Sequence, residues 1–207
     1  MASALQYFVL IVILCIPMHE CGVVFQGGKC IIKGPCFNLD KLAEIAELVS
    51  KDVKAADGEK ILLRHIFFDK IGKKKNLHIC VLLKIIDLFQ TVLEETHLKS
   101  PVHHREKMNY HHELIHIMDQ LRNCVYKKKG NCDMLYNKSE KTSLPEIPEK
   151  DMVPKQLAVL QLQKLKNASE RLSDVHIQER VMDELKTLHL YMRGKGFRKN
   201  TYDPGEA

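Results

Sequence analysis

The chain has 207 residues and a formal charge of +6, room for one ordinary domain and short of two comfortable ones. It carries no internal repeat, no serine nucleophile elbow, no phosphate loop and no Cys-x-x-Cys pair, which leaves the common catalytic and redox classes without their motifs. Nothing in the sequence reads as alternating strands, so the expectation is an all-α domain.

Ala4 to Met18 is one uncharged apolar run at the N-terminus, shorter than the roughly 20 residues a spanning helix needs. It reads as the apolar core of a signal peptide, with cleavage near Gly22. Residues 1–22 are therefore assigned to a signal, 23–193 to the folded domain and 194–207 to a disordered basic tail, and no later stretch is expected to cross or insert into a membrane. Export delivers the cysteines to an oxidising compartment. Of the seven, Cys15 and Cys21 leave with the signal, and Cys30, Cys36, Cys80, Cys124 and Cys132 remain. An odd count leaves one thiol free or paired elsewhere. The sequons Asn137-Lys138-Ser139 and Asn167-Ala168-Ser169 suit glycan addition in the same compartment. Basic clusters at Lys73 to Lys75, Lys127 to Lys129 and Arg193 to Lys199 favour anionic glycans or acidic protein surfaces over nucleic acid in a secreted chain. Simple solvation of loops and a tail is the plain alternative.

Apolar residues at Leu42, Ile45, Val49 and Val53 predict a helix from about Leu39 to Ala55, stopped by Asp57-Gly58, a turn dipeptide. Ile61 to Ile71 reads as a shorter helical piece. Leu77 to Glu95 is apolar around most of its circumference, with Leu82, Ile85, Ile86, Phe89, Val92 and Leu93 inside and only Lys84, Asp87 and Gln90 wet, the pattern of a buried central helix. Tyr110, Leu114, Ile117, Leu121 and Val125 mark a fourth helix. Residues 133–154, with Pro145, Pro148 and Pro154, read as a long exposed loop. A fifth helix spans about Lys155 to Leu172, with Leu157, Leu160, Leu165 and Leu172 inward. Ser173 or Asp174 caps a sixth, whose face is Ile177, Val181, Leu185, Leu188 and Met192. Six helices with unequal loops suit a bundle with long crossover connections.

Several segments resemble the interleukin-10 family of class II helical cytokines, nearest its interleukin-20, interleukin-22 and interleukin-26 branch. They are Cys36-Phe37-Asn38-Leu39-Asp40-Lys41-Leu42-Ala43-Glu44-Ile45 before and within the first helix, Ala55-Ala56-Asp57-Gly58 after it, and Cys80-Val81-Leu82-Leu83 through Phe89 to Leu93-Glu94-Glu95 in the centre. Cys124, Cys132 and the closing segment Val175 to Met192 complete the pattern. Ile79-Cys80 stands where relatives carry a Cys-Cys pair, Cys30 is extra, and the 133–154 connection is longer than the family's. The resemblance implies a six-helix cytokine bundle with bridges Cys36–Cys124 and Cys80–Cys132. It also implies a secreted ligand that brings together a class II cytokine receptor heterodimer and triggers JAK-STAT signalling in immune or epithelial responses. The first receptor face would draw on the first helix, the connection after it and the last helix. On those elements Asp40, Lys41, Glu44, Lys54, Asp57, Glu179, Asp183 and Lys186 lie opposite the apolar stripes. Some relatives exchange their last two helices between chains. A connection of about 20 residues reaches back within one chain, since closure entropy grows slowly with length, so a monomer is expected.

Other readings stay beside this one. A type I or type III interferon has a similar helical core. A cationic glycan-binding or antimicrobial protein would bind heparin-like glycans through Arg193 to Lys199. His112-Glu113-Leu114-Ile115-His116 is a literal H-E-x-x-H, the spacing of a zinc protease with the Glu as general base. The residues after His116 lack the H-x-x-G-x-x-H extension, and Leu114, Ile117 and Leu121 claim the inward face. His112 and His116 are therefore expected on a solvated flank, as a weak metal candidate at most, and the chain is read as no enzyme and as needing no cofactor.

Overall fold

The computed structural model describes residues 23–26, 29–32, 39–53, 58–99, 105–126, 131–141 and 147–193. The expected signal (residues 1–22) and basic tail (residues 194–207) lie outside these. The chain divides into two units, residues 1–36 and 37–207.

The first unit corrects the expectation that the chain holds no strands. β1 (Val23–Gln26) pairs antiparallel with β2 (Lys29–Ile32), Gln26 facing Lys29 across a two-residue connection. Val23, Val24, Ile31 and Ile32 are β-branched, and the connecting sequence is Gly27-Gly28, a hairpin signal that a helix-oriented reading passes over.

The second unit is all-helical among its described residues. α1 (Leu39–Ser50) is followed by α2 (His65–Gly72), α3 (Lys75–Lys99), α4 (Arg105–Tyr126), α5 (Asp133–Lys141) and α6 (Pro154–Glu170). A short 3-10 turn, Glu149–Asp151, precedes α6. The closing rod is α7 (Val175–Glu184), a 3-10 turn Leu185–Thr187 and α8 (Leu188–Tyr191). Local chemistry sets the ends. Pro154 opens α6 at a position where its missing N–H costs nothing, and Asp174 caps α7, its Oδ1 accepting from the His176 amide at 2.9 Å.

α3 is the central element. Leu82, Ile85, Ile86, Phe89, Val92 and Leu93 are all buried, and six such side chains contribute on the order of 1.5–3 kcal/mol each. Lys75–Thr96 is long and apolar enough to cross a membrane, contrary to expectation, but 67% of its apolar window is buried inside the bundle, as befits a core helix. Side-chain pairs fix the helix directions. Asp87 meets Arg122 at 3.3 Å and Gln90 meets Asp119 at 2.8 Å, so α3 and α4 run antiparallel. His78 meets Tyr191 and Glu95 meets Gln178, so α3 also runs antiparallel to the closing rod. Lys75 and Leu77 share a groove with Pro154 and Lys155, while Leu88 and Thr91 share another with Leu165 and Ser169, which makes α3 and α6 parallel.

Four further expectations are corrected. Ile61 to Arg64 is not helical, because its backbone groups are taken by side chains from distant helices. The supposed loop 133–154 contains α5 and the 3-10 turn. Cys132 and Leu135 bury there, and Asn131 Oδ1 accepts from the Asp133 amide at 3.1 Å, enough to nucleate a short helix with too few apolar residues to show a period. Gln90 is buried instead of wet, its amide held between Glu94 and Asp119. Leu160, expected inward, is only half-buried.

Candidate functional site

Two features bind the bundle together. Cys80 and Cys132 form a disulfide with Cα atoms 5.5 Å apart, joining α3 to the residue before α5 across 52 positions. Beside it the Tyr136 hydroxyl donates to the Cys80 carbonyl at 3.0 Å, and Lys84 Nζ sits 5.1 Å over the Tyr136 ring. Burial first, then the charges of Asp87 and Asp133, push the Tyr136 phenol up to about 12. Cys124 is also disulfide-bonded. Cys36, its expected partner, lies outside the described residues.

The second feature is a polar lacing of the connection between α1 and α2. Gly58 takes φ +126°, and a Cβ there would run into the Arg180 guanidinium of α7. Lys164 of α6 pairs with Glu59 at 2.6 Å and donates to the Lys60 carbonyl at 2.8 Å, and this lysine holds the Glu59 carboxyl below its ordinary 4.5. Glu184 then accepts from two successive amides, Ile61 and Leu62, one on each carboxylate oxygen at 2.7 Å. Gln161 accepts from the Leu63 amide at 2.7 Å and donates to the Ile61 carbonyl at 3.0 Å. Tyr191 donates its hydroxyl to the Leu63 carbonyl at 2.7 Å, and His78 donates to the Tyr191 carbonyl at 2.9 Å. Buried polar groups are tolerated only when partnered in this way. Burial raises the Glu184 carboxyl above its ordinary value against the lowering effect of its two amides, and lowers the His78 imidazole.

Of the lacing residues only Gly58 was singled out from sequence, as part of the turn Asp57-Gly58, and its positive φ agrees; for the others a signal was present but passed over. Gln161 stands between Leu157 and Leu165 in steps of four, Glu184 interrupts the apolar run Val181, Met182 and Leu185, and His78 is in step with Leu82 and Ile85. A polar residue within an apolar stripe marks a partner to be found.

The expected contact residues fall on outer faces. α1 packs against α4 and against the end of the closing rod, with Asp40 and Glu44 exposed. Lys41 is turned to the α4 side, where it meets Glu113 at 2.8 Å. On α7, Glu179 lies 3.5 Å from His176 and Asp183 lies 3.0 Å from Lys186. Lys54 and Asp57 lie outside the described residues. Both sequon asparagines are exposed, Asn137 on α5 and Asn167 on α6.

In the H-E-x-x-H segment His112 and His116 are exposed on α4. Glu113 is engaged by Lys41, and the Gln120 amide nitrogen sits 3.0 Å from His116 Nε2. Among the described residues, no three His, Cys, Asp or Glu side chains gather into a metal-binding group. No protein-family model, curated protein or solved structure matches this chain.

Proposed function

We propose that this chain is a secreted helical cytokine of the interleukin-10 type, which brings together class II cytokine receptor chains to start JAK-STAT signalling and acts by binding instead of catalysis. The observation that carries this reading is the lacing of residues 58–63 onto α6, α7 and α8. A connection that would otherwise wander is held in one conformation beside α7, which makes it part of a preorganised surface, and preorganisation lowers the entropic cost of association. The sequence resemblance implies a receptor face from these same elements, the first helix, the connection after it and the last helix.

In this reading Asp40, Glu44, Glu179 and Asp183 supply the charge of that face. Cys36–Cys124 is the second clamp, Asn137 and Asn167 carry glycans, and the protein is a monomer. Long-range bridges suit an exported chain, where reducing systems are absent. The test is a charge reversal, Asp40→Lys with Asp183→Lys, in the secreted, oxidised protein. Binding to immobilised class II receptor ectodomains falls at least tenfold while helical circular dichroism is unchanged. Binding at the parental level, or no binding by the parent to any such ectodomain, overturns the proposal.

A further inference from the structure

At the end of the bundle where α2, α3 and α6 meet, a groove of about 530 Å³ opens between the start of α3 and the start of α6. Its floor is apolar, from Leu77, Val153 and Pro154, and its banks are basic, Lys74 and Lys75 on one side and Lys155 on the other. Val153 is 55% exposed. That is an unusual position for a branched apolar side chain ringed by lysines.

The basic character extends past the banks. Lys73 and Lys150 are exposed, and Lys70 donates to the Lys150 carbonyl at 2.8 Å, tying the last turn of α2 to the 3-10 turn before α6. Six lysines (70, 73, 74, 75, 150 and 155) thus outnumber the carboxylates of this region, Asp69, Glu149 and Asp151. Among the described residues Lys73, Lys74 and Lys155 meet no carboxylate within ion-pair distance. Unneutralised like charges on a fixed frame raise the local potential and are relieved by an anionic partner.

We infer that this groove docks an acidic, extended segment of a partner protein, with one apolar side chain of that segment seated on Leu77, Val153 and Pro154 and its flanking carboxylates meeting Lys74 and Lys155. Charge complementarity selects an anion, and the apolar floor selects between anions. A sulfated polysaccharide would use the lysines and leave Val153 idle, whereas a peptide with an apolar residue between acidic ones uses both. The surface is separate from the α1 and α7 face and does not depend on the receptor reading.

The test uses the full-length, oxidised protein and a fluorescein-labelled peptide, Glu-Asp-Leu-Glu-Asp, followed by anisotropy at low and physiological salt. The expected result is saturable binding that weakens at least tenfold in Lys74→Glu with Lys155→Glu and about threefold in Val153→Ser, with helical content unchanged. A peptide with Gly at the centre binds several-fold more weakly than the parent peptide. The inference is overturned by equal binding of the Gly peptide, by lysine variants that bind as the parent does, or by no saturable binding. It is also overturned if a heparin hexasaccharide displaces the peptide, depends on the same lysines and binds more tightly, since the occupant is then a glycan.

Discussion

Removing the Glu184 carboxylate puts the lacing under the most direct strain. In Glu184→Ala the amides of Ile61 and Leu62 both lose their acceptor, and among the described residues no backbone carbonyl takes its place. A buried unsatisfied donor costs about 1–3 kcal/mol, so two give about 2–6 kcal/mol. Glu184→Gln keeps one acceptor oxygen and turns an amide nitrogen toward the second N–H, so its loss is about half as large. Proton linkage separates this carboxylate from its neighbours. Its proton is held to higher pH in the fold than in the unfolded chain, where it leaves near 4.5. Its contribution to stability is therefore fully present below pH 4.5 and declines as pH rises through the raised folded value. Urea denaturation of the oxidised protein across pH 4 to 8 reads both effects. The stability gap between the parent and Glu184→Gln widens in the parent's favour toward acid, and amide exchange at Ile61 and Leu62 accelerates in both variants. Glu184→Ala within about 0.5 kcal/mol of the parent, or an unchanged gap across that range, refutes the argument.

Three other outcomes follow from the same contacts. Replacing Cys80 and Cys132 together by Ser removes the clamp across 52 positions and lowers stability by about 4 kcal/mol in the chain-entropy account, read as a shift in the urea midpoint. His78 is held below its ordinary 6.5 by burial, so it contributes stability above pH 6.5 that is lost as pH falls through its lowered folded value. His78→Asn shows a smaller loss of stability between pH 7.5 and 5.5 than the parent, in the direction opposite to Glu184. Alkaline absorbance titration finds Tyr136 and Tyr191 ionising near pH 12, and Tyr136→Phe costs about 1 kcal/mol through its lost bond to the Cys80 carbonyl.

Helices with long apolar stripes were legible in the sequence. Leu42, Ile45 and Val49 are buried as the spacing requires, and so are Ile177, Val181, Leu185, Leu188 and Met192, whereas α1 ends at Ser50, short of the expected Ala55, and leaves Val53 only half-buried. Periodicity works there because non-directional burial selects the face. It failed at Ile61 to Arg64, the first part of the expected helical piece Ile61 to Ile71, where the backbone bonds to Glu184, Gln161 and Tyr191. No local pattern carries a contact spanning more than a hundred residues. It failed again at α5, a nine-residue helix too short to display a period, which is stabilised by its attachment at Cys132 and Tyr136. The candidate face was half legible. Its exposed charges follow from the stripes, but the turn of Lys41 toward Glu113 depends on how α1 sits against α4.

Burial of Ile61, Leu62 and Leu63 is non-directional and does not by itself choose how the backbone of residues 58–63 lies on the bundle. Directional groups make that choice, and Gly58 sets where it begins. With φ at +126° and Arg180 against the missing Cβ, an alanine there adopts a backbone region costing about 1–3 kcal/mol and displaces the guanidinium. The substitution removes no contact of the buried side chains on α3 and α4, among them Phe89 and Leu114. Gly58→Ala therefore loosens the connection first, with faster amide exchange at Ile61, Leu62 and Leu63 and little change in the protection of α3. Uniformly faster exchange across α3 as well would mean that the connection and the core unfold as one unit, and the view of residues 58–63 as a separately laced surface would fall.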